Sequence, residues 1–343
     1  MPAASRPALE APPYAAYLKG LTICLDPGHG GRSGRAGFKR GPTGLQEAEV
    51  NLRVARFLKE FLDAAGARVI LTRSGDVYLH EDDAEDNRRR AGVANAARSD
   101  VFLSIHHNAS DTNPNANFSS VWYHGSVDSS PASLDVARHL SIALADELRL
   151  PQQLGCPILS DTLMYARSGF AVLRAARVPA VLVEASFHSN PAQEQRLRDP
   201  AYGRREAYAL FVGLARYAYG GVPRAKLIEP ADGIVYAGGP HEVVIELDDG
   251  IRARKSWGWD QQLILRDSIL VRRGTTVEPH VFDEAARRII VSLPSRLQAG
   301  PLRLQVQFEN LFKHSNTRPH VDLQVRPGVR PTESAVTAPP RPM

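Results

Sequence analysis

Two cysteines, Cys24 and Cys156, are too few for a disulfide framework in a chain of 343 residues, and a chain this long needs no such staple. Cys24 lies in an apolar run and reads as a small core residue. No apolar stretch approaches the ~20 residues of a membrane span, so no spanning segment is expected. The stretch from Met1 to Lys19 is rich in Pro and Ala but lacks a charged start followed by an apolar segment, so no signal peptide is visible. A basic arm is missing too, and aromatic residues do not interleave with basic ones. No nucleic-acid partner is therefore expected, although a net charge of +5 and a pI near 9.3 suit some anionic partner.

What remains is ordinary globular material, 43% hydrophobic and 23% charged, which excludes a disordered chain. The length favours two domains. From Leu21 to about Gly220, short β-type runs (Leu21–Leu25, Arg68–Thr72, Val101–Ile105, Ser119–Tyr123, Ala180–Val183) alternate with helical patterns (Glu47–Ala65, Glu85–Ala97, Ser133–Leu148, Tyr202–Tyr219). Alternation of this kind predicts an α/β fold with a mainly parallel mixed sheet flanked by helices on both faces. Beyond Val222-Pro223 the pattern becomes short β runs, at Val243–Leu247, Leu263–Leu265, Ile289–Leu293, Leu302–Phe308 and Val321–Val325. These predict a small β-sandwich, immunoglobulin- or fibronectin-like. The expected organisation is a flexible N-terminal tail over 1–19, a main domain over 20–222, the β-sandwich over 223–326 and a disordered Pro-rich tail over 327–343.

Four segments carry candidate chemistry. The first β run leads into Asp26-Pro27-Gly28-His29-Gly30-Gly31, a sharp turn that places His29 at a strand's carboxyl end, where α/β proteins hold ligands. That turn matches neither phosphate-binding glycine pattern. At the start of the first long helix, Val50, Val54, Phe57, Leu58, Phe61 and Ala65 form one stripe. Glu47 falls on that stripe and Glu49 opposite it. A carboxylate on a buried face needs a partner; a metal would serve, and so, for a first-turn residue, would the helix dipole. The third β run enters His106-His107-Asn108, and strand alternation lets only one of the two histidines face a given site. Last, Pro179-Ala-Val-Leu-Val delivers Glu184, for which a structural ion pair is the competing role. Three of these positions share the carboxyl rim of a parallel sheet and the fourth opens a helix. Two His and one Glu, with a fourth position left for water, make the donor set of a catalytic zinc site.

Taken together, six ordered blocks resemble the zinc-dependent N-acetylmuramoyl-L-alanine amidases, specifically their third large sequence family. They are Leu25-Asp-Pro-Gly-His-Gly-Gly31, Glu47-x-x-x-Asn51-Leu52, Val69-x-Leu-Thr-Arg73 with Asp76, Arg90-x-x-x-Ala94-Asn95, Ser104-Ile-His106-x-Asn108-Ala109 and Pro179-Ala-Val-Leu-Val-Glu184-x-x-Phe187-x-Ser-Asn190. The resemblance implies one Zn2+ held by His29, Glu47 and His106, Glu184 as the catalytic carboxylate, peptidoglycan as substrate and partner, and a place in the cell envelope. It favours His106 over His107, because the family pattern has a small residue at the second position. His107, Ala185, Ser186 and His188 depart from that pattern. Asp26 or Asn108 is expected to orient the ligands, and the β-sandwich to bind the wall, act as a spacer or bind a protein.

Overall fold

The computed structural model describes residues 9–31, 39–126, 130–166, 168–238, 241–258, 261 and 263–329. The chain divides into two compact units. One takes in the described residues up to Pro223 together with Asp249–Leu263 and Asn310–Thr317; the other takes in Arg224–Asp248, Ile264–Glu309 and the described residues from Arg318.

The first unit is built on a six-stranded sheet of β1 (Thr22–Pro27), β2 (Arg68–Leu71), β3 (Val101–Asn108), β4 (Ser120–Tyr123), β5 (Ile158–Ser160) and β6 (Ala180–Phe187), in the order β2-β1-β3-β6-β4-β5. Every neighbouring pair is parallel except β4 with β6, so the sheet is mixed and mainly parallel as the alternating pattern predicts. Around it lie α1 (Glu47–Ala64), α2 (Asp83–Ala96), α3 (Ala132–Leu148), α4 (Ala171–Ala175), α5 (Pro191–Arg198) and α6 (Pro200–Tyr219). Strand alternation sorts the core between the two faces. Ile23, Leu25, Leu103, Ile105, Val181 and Val183 pack with α1, α3 and α6, whereas Cys24, Phe102, Trp122 and Leu182 pack on the α2 and α4 side.

Short elements escape sequence periodicity. The strand β5 and the helices α4 and α5 were not expected. The stretch 9–19, expected as part of a flexible tail, instead holds a 3-10 helix at Pro13–Leu18 with Ala15 and Leu18 buried. Its apolar side chains join the main core, and Tyr208 Oη donates to the Glu10 carbonyl at 2.8 Å. The remainder of that tail, 1–8, and the Pro-rich stretch from 330 lie outside the described residues. Within the same unit, Asn310 Nδ2 donates to the carbonyls of Gly220 (2.8 Å) and Asp249 (2.9 Å), and His314 Nδ1 to that of Gly221 (2.8 Å). These bonds tie the two late segments to the end of α6.

The second unit is a sandwich of two sheets built from β7 (Arg224–Glu229), β8 (Ile234–Tyr236), β9 (Glu242–Asp248), β10 (Leu270–Arg273), β11 (Thr276–Val277), β12 (His280–Asp283), β13 (Arg288–Ser292), β14 (Gly300–Gln307) and β15 (His320–Arg326). The strand orders are β11-β10-β14-β15-β8 and β12-β13-β9-β7. Alternate residues such as Val243, Ile245 and Leu247 point into the shared core. The run Leu263–Leu265 forms no strand; backbone bonds from Leu265 N to Glu309 O and from Leu311 N to Leu263 O use its polar groups instead.

Helix α6 crosses α3 at a glycine. A Cβ on Gly213 would lie 2.9 Å from the Leu140 Cα and 3.1 Å from the His139 carbonyl, so the two helix backbones approach closely there. Gly213→Leu is expected to destabilise the first unit by about 1–3 kcal/mol or more through overpacking, which urea denaturation followed by far-UV circular dichroism would measure.

Candidate metal centre

Parity along the strands brings the expected residues together. On β3, His106 shares a face with Phe102 and Ser104; on β6, Glu184 shares it with Ala180 and Leu182. His106 and Glu184 are direct register partners. His29 follows β1 in a left-handed conformation (φ 60) uncommon for a non-glycine residue. Glu47 is the first residue of α1; it is buried, while Glu49 is exposed, as the helical stripe predicts.

His29 Nε2 lies 3.1 Å from Glu47 Oε2, His106 Nδ1 lies 3.1 Å from Glu47 Oε1, and the two ring nitrogens are 3.2 Å apart. Tetrahedral coordination with bonds of 2.0–2.1 Å separates neighbouring donors by about 3.3 Å, so the three side chains stand near the spacing of ligands on one ion. The donor set fits zinc in chemistry as well. Burial pulls the His106 imidazole below its ordinary value, against the hydrogen bond from Glu47, and a neutral imidazole is what a metal requires. Burial pushes the Glu47 carboxyl upward, but the facing His29 and His106 outweigh it and hold the group well below the usual range.

Glu184 is driven the opposite way. Burial, then the charge of Glu47, push its carboxyl well above the ordinary value, and its Oε2 has no hydrogen-bond partner among the described residues. Two carboxyls with such opposed environments suit two different roles. They line a cavity of about 640 Å³ together with His29, His106, Tyr78 and Tyr165.

The loop is held from behind by residues to which the sequence reading assigned no role. Arg73 donates to the carbonyls of Pro27 (2.7 Å), Gly28 (2.9 Å) and Ala48 (2.7 Å), while Arg90 donates to those of Pro27 (3.0 Å) and His29 (2.7 Å). Fully buried Arg90 is balanced by Asp26 (2.9 Å) and Asp86 (2.6 Å). Asp26 also accepts from Thr72 and Ser104, and its partner Arg90 holds the His29 carbonyl. Asn108 accepts from its neighbour Ala109 N and so caps its own turn. Gly28 is required by contact, since a Cβ there would lie 2.1 Å from the His106 ring.

The two histidines that depart from the family pattern fare differently. His107 turns to the opposite face of β3, where Asn51 and Glu206 bind its ring. His188 is buried 3.6 Å from Glu47 Oε2, and neither ring nitrogen has a hydrogen-bond partner among the described residues.

A family model described as N-acetylmuramoyl-L-alanine amidase matches residues 23–216. The N-acetylmuramoyl-L-alanine amidase AmiC of Neisseria meningitidis serogroup B is 34% identical over 226 residues, 57% of this chain and 52% of its own length. The probable cell wall amidase LytH of Staphylococcus epidermidis is 32% identical over 201 residues, 58% of this chain and 59% of its own. This chain thus spans little more than half the length of either relative. The crystal structure of the N-acetylmuramyl-L-alanine amidase Ami1 from Mycobacterium smegmatis, 24% identical, superposes with a TM-score of 0.50 over 59% of this chain and 98% of its own. That likeness speaks for the fold.

Removing the Arg90 guanidinium would strand Asp26. Burial raises the Asp26 carboxyl, but Arg90 and the Thr72 and Ser104 hydrogen bonds outweigh it and hold it low. Its stabilising contribution is therefore present above the unfolded value of about 3.9 and lost as pH falls through the folded one. With Arg90→Met the direct ion pair is gone and burial is opposed chiefly by two hydroxyls, so the carboxylate costs about 3–5 kcal/mol at neutral pH, and protonation relieves that cost. The stability deficit of Arg90→Met in urea titrations is expected to shrink between pH 7 and pH 5.

Proposed function

The chain belongs to the N-acetylmuramoyl-L-alanine amidase family, and from that premise we propose that it is a zinc-dependent peptidoglycan hydrolase cleaving the amide between the lactyl group of N-acetylmuramic acid and the L-alanine of the stem peptide. The observation that carries this reading is the meeting of His29 Nε2, Glu47 and His106 Nδ1 at ligand spacing beside the separately buried Glu184. In it, His29, Glu47 and His106 hold one Zn2+, and three protein ligands leave a position open, as catalysis requires and a structural site does not.

When bound, zinc supplies Lewis acidity toward the scissile carbonyl and lowers the pKa of water from 15.7 to about 7. Glu184 then acts as base and acid in turn, accepting a proton from the attacking water and delivering it to the departing alanine nitrogen. Its place on β6 beside His106 of β3, lining the same cavity as the three donors, supports that role. Burial and then the charge of Glu47 hold the Glu184 carboxyl well above its ordinary value, and positive charge beside Glu47 would offset the second of these. The clamps from Arg73 and Arg90 keep the His29 turn from relaxing when ligands exchange.

A wall substrate places the working protein in the cell envelope. The β-sandwich is read as a wall-binding or spacer module that raises the local concentration of substrate around the first unit.

Digestion of purified sacculi tests the reading. The expected products are new L-alanine amino termini without new reducing ends, with loss of activity on chelation and recovery on adding zinc. Release of D-alanine alone would instead identify a carboxypeptidase acting within the stem peptide. Glu184→Gln is expected to lower turnover by about 10²–10⁴-fold while the zinc content of the purified protein stays at that of the parent; unchanged turnover would remove Glu184 from the mechanism.

A further inference from the structure

Beneath the metal centre, on the opposite face of β3, the layer between the sheet and α1 and α6 is filled by Leu103, Ile105, Val181, Val183 and their neighbours. Into this layer the chain sets His107 and Glu206, both wholly buried, with His107 Nε2 3.1 Å from Glu206 Oε2. On the other edge of the ring, His107 Nδ1 lies 2.8 Å from Asn51 Oδ1. Asn51 Nδ2 in turn donates to the Gly28 carbonyl at 3.2 Å and to Glu47 Oε1 at 3.3 Å.

The hydrogen positions in this chain are determined. Gly28 O accepts only and Glu47 Oε1 is a carboxylate oxygen, so the Asn51 amide must present its nitrogen to them and its oxygen to His107. His107 Nδ1 therefore carries a hydrogen, and one further proton lies between Nε2 and Glu206. A ring flip would replace Nδ1–H with a carbon at Asn51, and Glu206 prevents it by holding the other edge. His107 touches Glu47 a second time through its backbone, since its N–H donates to Glu47 Oε1 at 3.1 Å.

Stability alone does not account for the pair. Glu206 Oε1 has no hydrogen-bond partner among the described residues, and apolar side chains of similar volume in such a layer are often as stable as a buried ion pair or more so. What the pair adds is orientation. Resting on the zinc reading above, we propose that Glu206 and His107 are positioning residues of the metal centre, fixing the plane of the Glu47 carboxylate through Asn51. Outer hydrogen-bond partners of this kind tune metal affinity.

The test uses the full chain stripped of metal, with zinc affinity measured by competition against a chromophoric chelator and thermal unfolding recorded on the same metal-free samples. Zinc binding by the parent protein tests the zinc reading itself; a parent that takes no zinc overturns that reading and this inference together. Given binding, the double variant His107→Leu, Glu206→Leu is expected to unfold at the parent temperature or above, while its zinc dissociation constant rises about tenfold, the low end for such partners. Glu206→Gln, whose amide can donate to His107 Nε2, is expected to stay within about threefold of the parent. If the double variant does not fold, Glu206→Met takes its place with the same expected loss of affinity. A folded apolar variant that binds zinc within about twofold of the parent, below the range for such partners, overturns the positioning role, as does a Glu206→Gln loss equal to that of the double variant.

Discussion

An ionised carboxylate buried in the first turn of α1 is expensive, of the order of several kcal/mol without partners, and the architecture around the candidate site is organised to meet that cost at Glu47. The amino end of the helix supplies a favourable dipole. Asn51 and the His107 backbone supply hydrogen bonds. His29 and His106 close the remaining side. Each of these groups is itself fixed by something else, so the carboxylate is presented in one orientation instead of sampling several. The same negative charge then reaches Glu184, where it adds to burial in holding the two carboxyls of one cavity at opposite ends of their range.

Rigidity in the turn after β1 has an equally specific source. Carbonyls at Pro27, Gly28 and His29 would face the interior without partners if the turn were left to itself, and a non-glycine residue in the left-handed region is strained. The guanidinium groups of Arg73 and Arg90 take all three carbonyls. Two buried cations could not sit so close without compensation, and Asp26 and Asp86 provide it. The turn therefore behaves as an extension of the sheet, and the imidazole it carries is placed with the precision of a strand residue.

How much of this the sequence discloses depends on the range of the interaction. Strand parity and the helical stripe are local, so the choice of Glu47 over Glu49 and the division of His106 and His107 between faces follow from periodicity. The sheet follows from alternation of apolar runs with longer amphipathic ones. The clamps are not local. Arg73 and Arg90 stand in the blocks that carry the family resemblance, but sequence gives neither a partner, and Arg90 is one of three consecutive arginines on a helix; only the fold reveals that the third of them is sealed inside. Glu206 pairs with a residue 99 positions away, and nothing in its neighbourhood marks it as buried. Elements shorter than about two turns or four strand residues, such as β5, α4 and the 3-10 helix at Pro13–Leu18, fall below the length at which periodicity can be recognised.

The two histidines that break the family pattern show why an identical departure in sequence can have different physical meaning. His107 is matched by a carboxylate across the layer, so it belongs to a network in which both of its ring nitrogens are bonded. A partial version of that network would leave a buried polar atom at an energetic loss, which means His107 and Glu206 make sense only as a pair. His188, by contrast, has its nitrogens buried with no hydrogen bond among the described residues, and burial pulls its imidazole below the ordinary value, so that the ring stays neutral beside Glu47. A neutral ring adds no competing positive charge next to Glu47, and the negative charge of that carboxylate would remain available to a cation bound by the three donors.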